Sequence, residues 1–267
     1  MKLLTVARDL QRRKARERQQ RFVAEGVRTV ETLLASPLEV VGLLVTDSLL
    51  HTERGAALIA AAESRGVPVH EVSDEELASA ADTETPQGVL AVAEIPARAL
   101  APAPEGARYL VLDALQDPGN VGTVIRTAAA MGVTATVVLP GTVDQWNAKV
   151  VRSSMGALFQ HPVVTMSWEA LEAFTATTGA PVPLWAADMG GEPVDHLDCA
   201  TLPSRLALVV SNEGAGLSPH VAAAVTRTVS IPMAEGVESL NVAVAAGILL
   251  YSLRGRGAVA SPASRSS

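Results

Sequence analysis

Ser239-Leu240-Asn241-Val242 stands eight residues after Ile231-Pro232-Met233. A short β-type run, Thr228 to Ile231, ends at Pro232, and the polar loop 234–238 leads into an apolar helix from Val242 to Leu253. Ser239 is placed to cap that helix, because a hydroxyl satisfies a free amide of the first turn. Capping alone leaves Asn241 unexplained, since Asn is a mediocre helix former. A Ser and an Asn beside a Pro-bounded loop could also hold a polar ligand, although on spacing alone a capped core helix is the stronger reading.

Two upstream stretches repeat the pattern. Leu110-Val111-Leu112-Asp113 reads as a buried strand, followed by a Pro118-Gly119 turn and a helix starting near Asn120, its expected N-cap. Six residues on comes Arg126. Leu208-Val209-Val210 is again an apolar strand, followed by Ser211-Asn212-Glu213-Gly214-Ala215-Gly216 and a helix that Ser218-Pro219 starts. Strands that end in polar or Gly-rich loops build ligand sites where those loops converge in open α/β sheets.

In this order the three stretches resemble the three motifs of the SpoU (TrmH-like) family of RNA ribose 2′-O-methyltransferases, within the SPOUT superfamily. The resemblance runs from Tyr109 to Arg254. Motif one is carried by Asn120, Gly122 and Arg126, and motif two by Asn212, Glu213, Gly214 and Gly216. Motif three is carried by Ile231, Pro232, Met233, Ser239, Leu240 and Asn241. The segment Asn147 to Ala157 also looks like the family. Ser211 departs from it, standing where many relatives carry a Gly that lets the backbone lie close to the cofactor.

The resemblance implies an S-adenosylmethionine site inside a C-terminal trefoil knot, and a homodimer. Its cofactor-binding residues would be Ser211, Asn212, Gly214, Gly216, Ile231, Met233, Leu240 and Asn241. Its catalytic group would be Arg126, Asn120, Glu213, Ser239 and Asn241. The substrate it implies is structured RNA, with ribosomal RNA favoured over transfer RNA; a catalytically impaired RNA-binding relative is the alternative. Arg is effectively always protonated, so Arg126 reads better as a bidentate clamp on a substrate phosphate than as a base. As a bare residue it is equally a surface Arg on a helix. Asn120 and Asn241 would orient the ribose or hold loops, and Glu213 would accept backbone amides.

The elements that must position these residues follow from patterning. Strands are expected at about 109–113, 135–139, 163–166, 183–188, 206–210 and 228–231, with helices between, which is an α/β pattern with a mostly parallel sheet. A smaller N-terminal α/β domain, 21–95, resembles the ribosomal-protein-like substrate domain common in the family, with Phe22, Glu25, Gly26 and a Pro86-Gln87-Gly88 turn in place. Residues 96–107 are a Pro/Ala-rich linker. The methyltransferase domain is expected at 108–255, and the tail 256–267 is expected to be disordered.

Charge adds a further expectation. Residues 1–28 hold nine basic against three acidic side chains, net +6, while the remaining residues hold 12 against 25, net −13. One basic arm on an acidic protein suggests a local polyanion contact. A basic helix over 1–20 would put Arg8, Arg12 and Arg16 on one face, with Arg13 and Arg21 as further RNA contacts. A solvated helix with i,i+4 pairs Asp9/Arg13 and Glu17/Arg21 explains the same residues.

Composition excludes several classes. No apolar run reaches the roughly 18 residues of a membrane span, and no apolar signal core follows the basic start. The single cysteine, Cys199, rules out an internal disulfide and fits a reducing cytoplasm. The five His are scattered, so no metal site is expected. The strand at 109–113 lacks a G-x-G-x-x-G sequence after it, which argues against a dinucleotide-binding dehydrogenase.

Overall fold

The computed structural model describes residues 2–254 apart from 178, 213–215 and 238. The tail expected to be disordered lies outside the described residues, as do Glu213 and Gly214. The chain forms two compact units, one of residues 1–97 with 144–160, the other of residues 98–143 with 161 onward.

The first unit is built on a four-stranded sheet of β1 (Arg21–Glu25), β2 (Val40–Thr46), β3 (Val69–Val72) and β4 (Val89–Glu94), in the order β1-β4-β2-β3. β4 is antiparallel to both neighbours and β3 is parallel to β2. In place of one basic helix over 1–20 there are two, Lys2–Asp9 and Arg13–Gln19, and Gln20 turns the chain into β1 with a left-handed backbone, φ 50°. Leu4, Ala7 and Leu10, spaced three apart and with the Leu10 amide still bonded to the Val6 carbonyl at 3.0 Å, insert into the core beside Val23, Leu44 and Leu90, and the chain breaks only after them.

Residues 144–160, placed by the sequence reading inside the second domain, pack in the first unit. The Trp146 and Phe159 rings lie 4.5 and 5.9 Å from the Phe22 ring, which is fully buried. The buried Glu25 carboxylate accepts from the Asp82 amide at 2.9 Å and from the Thr83 hydroxyl, and lies 3.7 Å from Arg152. The Pro86-Gln87-Gly88 turn has a defined role as well. Gln87 accepts from the Val27 amide at 3.3 Å, beside Gly26 at φ 90°.

The second unit holds a six-stranded, wholly parallel sheet of β5 (Arg108–Asp113), β6 (Ala135–Val138), β7 (Val163–Thr165), β8 (Leu184–Pro193), β9 (Leu206–Ser211) and β10 (Arg227–Ser230). The order is β10-β8-β9-β5-β6-β7. The central strands read as unbroken apolar runs because both faces are covered. Tyr109, Val111, Val137, Ala186 and Val209 are buried in one cluster. Ala103 and Ala107 of the expected linker belong to that same core, and Arg205 donates to the Ala103 carbonyl at 2.8 Å.

The β8–β10 pairing is interrupted. Thr228 pairs with Ala186, but Val229 pairs with Glu192, so residues 187–191 bulge away from the ladder. The bulge closes at Gly191, where a Cβ would sit 2.6 Å from the Val229 nitrogen. Only glycine permits that approach.

Candidate functional site

The ends of β8, β9 and β10, with the loops that follow them, surround a cavity of about 370 Å³. Its walls come from the bulge 187–190, the Val210–Asn212 strand end with Gly216 and Leu217, and Val229–Ile231 with Met233. Ser239 and Leu240 complete the rim, and Val242, Ala245 and Leu249 form the floor from the last helix, Val242–Ser252. The lining is mostly apolar with a few polar groups at strand tips, the general make-up of a small-molecule site.

Two backbone devices hold the loops. Asn212 and Gly216 close a tight turn by a 3.0 Å bond from the Gly216 amide to the Asn212 carbonyl, with Gly216 at φ 68°. At its far end the Ser218 amide donates to the buried Asp113 carboxylate at 2.7 Å, tying the loop to the tip of β5. Asp113 was missed by the sequence reading; its signal was a charged residue closing an otherwise apolar strand.

The caps differ from the expected ones. Asp117, not Asn120, caps the Pro118–Ala130 helix, accepting from the Asn120 amide at 2.7 Å, with Pro118 in the first turn. Asn241, not Ser239, caps Val242–Ser252, accepting from the Ala243 amide at 3.0 Å. The first correction frees the Asn120 side chain, and the second leaves Asn241 only its amide nitrogen for another bond. The Asn241 amide nitrogen donates to Asn120 Oδ1 at 3.0 Å, joining motifs 121 positions apart. The amide orientations are mutually forced, because Asn241 spends its oxygen on the cap and has only its nitrogen to offer. Ser239 stands exposed on the cavity rim.

Of the expected cofactor residues, Ser211, Asn212, Gly216, Ile231, Met233 and Leu240 line the cavity, while Asn241 stands next to it as the cap. Gly214 and Glu213 lie outside the described residues. The sequence reading missed the whole bulge wall, Ala187 to Gly190, although a strand ending in Asp-Met-Gly-Gly is itself a bulge signal. Arg126 is not brought to the cavity wall. The helix begins at Pro118, so Arg126 lies well along it, exposed, with no hydrogen-bond or ion-pair partner among the described residues.

The expected RNA contacts divide. Arg12 and Arg13 are exposed and paired with Asp9 and Glu17 respectively. Arg8 is exposed and donates to the Ser79 hydroxyl at 2.7 Å. Arg21 is one-third exposed and lies 3.4 Å from Glu94. Arg16 must be withdrawn. Its side chain is 5 % exposed, pairs with Asp144 at 2.7 Å and donates to the Leu10 and Gln11 carbonyls, so it holds the helix break together and cannot reach a phosphate.

Elsewhere in the second unit, His161 is buried against Thr136, 2.8 Å from its hydroxyl. Loss of hydration, aided by Arg98, lowers its pKa to about 4. Among the described residues, no helix is long and apolar enough to cross a membrane.

Comparisons with known proteins agree with this geometry. The sequence model of the SpoU rRNA Methylase family matches residues 107–251, and that of an MRM3-like substrate binding domain matches 5–91. The chain is 36% identical over 246 residues to the 23S rRNA (guanosine(2553)-2′-O)-methyltransferase RlmP of Bacillus subtilis, covering 92% of this chain and 93% of that one. It is similar in structure to the SpoU methyltransferase AviRb of Streptomyces viridochromogenes, solved with AdoMet: TM-score 0.81, 29% identity, 94% and 96% of the two chains covered. An AdoMet-bound rRNA methyltransferase from Sinorhizobium meliloti matches with TM-score 0.80, 28% identity and 94% of each chain covered.

Proposed function

We infer the activity from one premise: this chain belongs to the SpoU rRNA methylase family. It is an S-adenosylmethionine-dependent RNA ribose 2′-O-methyltransferase, acting on ribosomal RNA. The observation that carries the site assignment is the cavity of about 370 Å³ lined by residues of motifs two and three, with motif one clasped to motif three through Asn120 and Asn241.

The cavity suits the cofactor. It is large enough for a nucleoside with a short tail, and Ile231, Met233, Leu240 and Leu249 offer apolar contact for an adenine. Ser211, Asn212 and Gly216 offer amides and carbonyls for polar parts. The cofactor supplies the methyl group. The chain's task is then alignment, because bringing a 2′-hydroxyl in line with its target accounts for several kcal/mol of such a barrier. Ser239 at the rim and the Asn120–Asn241 pair position the ribose. Arg126, exposed and without a partner among the described residues, clamps a substrate phosphate with its guanidinium fork. The hydroxyl proton leaves to a phosphate oxygen or to water.

The first unit, 5–91 in particular, recognises the RNA, with Arg8, Arg12, Arg13 and Arg21 as phosphate contacts. The enzyme acts as a homodimer in the cytoplasm. Val244, Ile248 and Tyr251 lie on one face of Val242–Ser252 and are 51, 39 and 55 % exposed, and a second copy is the natural cover for such a stripe. The knotted path implied by the family resemblance belongs to the same reading.

The deciding experiment maps ribose methylation in cellular RNA with and without the gene, alongside single-turnover transfer of a tritiated methyl group to ribosomal RNA. One ribosomal position that loses its methyl group in the deletion and regains it in vitro is expected. Unchanged methylation together with no transfer to ribosomal RNA would overturn the substrate assignment.

A further inference from the structure

We propose that Asp188 makes the cavity select the sulfonium cofactor over its demethylated product, S-adenosylhomocysteine. The inference rests on the reading of this cavity as the cofactor site. Among its described lining residues Asp188 is the one with an ionisable side chain. The three segments around the cavity, 187–193, 211–218 and 231–241, contain no Lys, Arg or His; their other ionisable residues are Glu192, Glu213, Glu235 and Glu238. Glu192 is neutralised by Arg227, whose Nε donates to it at 2.9 Å. Asp188 has no such cation among the described residues.

Its carboxylate is also held at one oxygen. The Gly190 amide donates to Asp188 Oδ1 at 2.8 Å within the bulge, which leaves Oδ2 without a partner among the described residues. The bulge thus holds a negative charge at the solvent-exposed wall of the cavity, where water screens it only in part.

The two ligands differ by one methyl group and one positive charge. Both carry the same adenosine, the same amine and the same carboxylate. A neutral wall would distinguish them only by the contacts of a methyl group, whereas a negative wall favours the charged one. Selection by Asp188 eases release of the product and its exchange for fresh cofactor, because methyl transfer removes the charge that held the ligand.

Calorimetric titration of the full chain with S-adenosylmethionine and, separately, S-adenosylhomocysteine tests this. In Asp188→Asn, affinity for the first is expected to fall about tenfold, as loss of one partly screened charge pair predicts, while affinity for the second changes less than twofold. Asp188→Glu should recover part of the selectivity. Equal losses for both ligands would assign Asp188 to a group they share, the amine or the ribose, and overturn the proposal; so would no loss for either. A salt series on the wild-type protein gives an independent reading that needs no variant. The ratio of the two affinities should shrink as salt rises, and a salt-independent ratio overturns the proposal. Failure of the wild-type protein to bind either ligand would instead overturn the cofactor reading of the cavity.

Discussion

In the first unit the basic charge stands on side chains in solvent: Arg12, Arg13, Lys14 and Arg18 are all exposed. Around the cavity of the second unit there is no basic side chain in any of the three flanking segments, and turns and caps do the holding. The contrast follows from the ligands. An RNA backbone is a repeated anion read by movable point charges, and its binding is salt-dependent for that reason. A nucleoside cofactor has one size and one shape, so fixed backbone groups can fit it without paying to immobilise long side chains. One arginine in each unit crosses this division. Arg16 is a buried structural cation among solvated ones, and Arg126 is an exposed cation without a partner among the described residues.

The sharpest test of the comparison is therefore Arg16 against its neighbours. Arg16→Ala leaves the Asp144 carboxylate, 14 % exposed, without its cation and should destabilise the first unit by about 3–5 kcal/mol in chemical denaturation. A loss no larger than that of the exposed Arg13→Ala would place Arg16 back among the solvated residues. Arg126→Ala should lower single-turnover methyl transfer by at least about 100-fold with unchanged cofactor affinity. Arg126→Lys should not rescue it, because an ammonium lacks the fork. Wild-type rates in the alanine variant would remove Arg126 from the mechanism.

A third test compares the two units through pH. His161 takes a proton near 6.5 when unfolded but only at about 4 when folded. Between these values the unfolded chain binds more protons, so the stabilisation is complete above about 6.5 and is lost as pH falls toward 4, by up to about 3 kcal/mol. Thermal melts of wild type and His161→Gln across this window should converge at the acid end. Parallel curves would show that some other group sets the acid response. Asn241→Ala removes a cap and should cost about 1 kcal/mol, with an additional loss of transfer rate if the clasp to Asn120 positions the ribose. The smallest effect belongs to the arm. Removing Arg12 and Arg13 together should flatten the slope of log RNA affinity against log salt by about 0.7–0.9 for each one that contacts a phosphate. An unchanged slope would leave them as solvated charges only.

The parallel sheet and its strand positions were readable in the sequence because β5, β9 and their neighbours are short apolar runs closed by Asp, Gly or Pro. Most cavity residues of motifs two and three were readable too, since they occupy strand ends. What escaped was set by contacts distant in sequence. Ser239 and Asn241 are both good caps by residue type; Asn241 takes the role through the Ala243 amide, and its second bond, 3.0 Å to Asn120, lies 121 residues away. The burial of Arg16 depends on Asp144, 128 residues away. Assignment of residues 144–160 to the first unit depends on Phe22 receiving two aromatic rings. Local patterning holds no trace of any of these pairings.

The bulge in β8 amounts to a span fixed at two anchorages, Ala186 on Thr228 and Glu192 on Val229. The sheet is indifferent to what lies between them, because the register on either side is set by the anchorages alone. Residues there can be lengthened, shortened or exchanged without slipping a strand, as long as Gly191 remains to let the span land. This wall is then the part of the cavity most open to evolutionary or engineered change, a replaceable panel in an otherwise rigid frame.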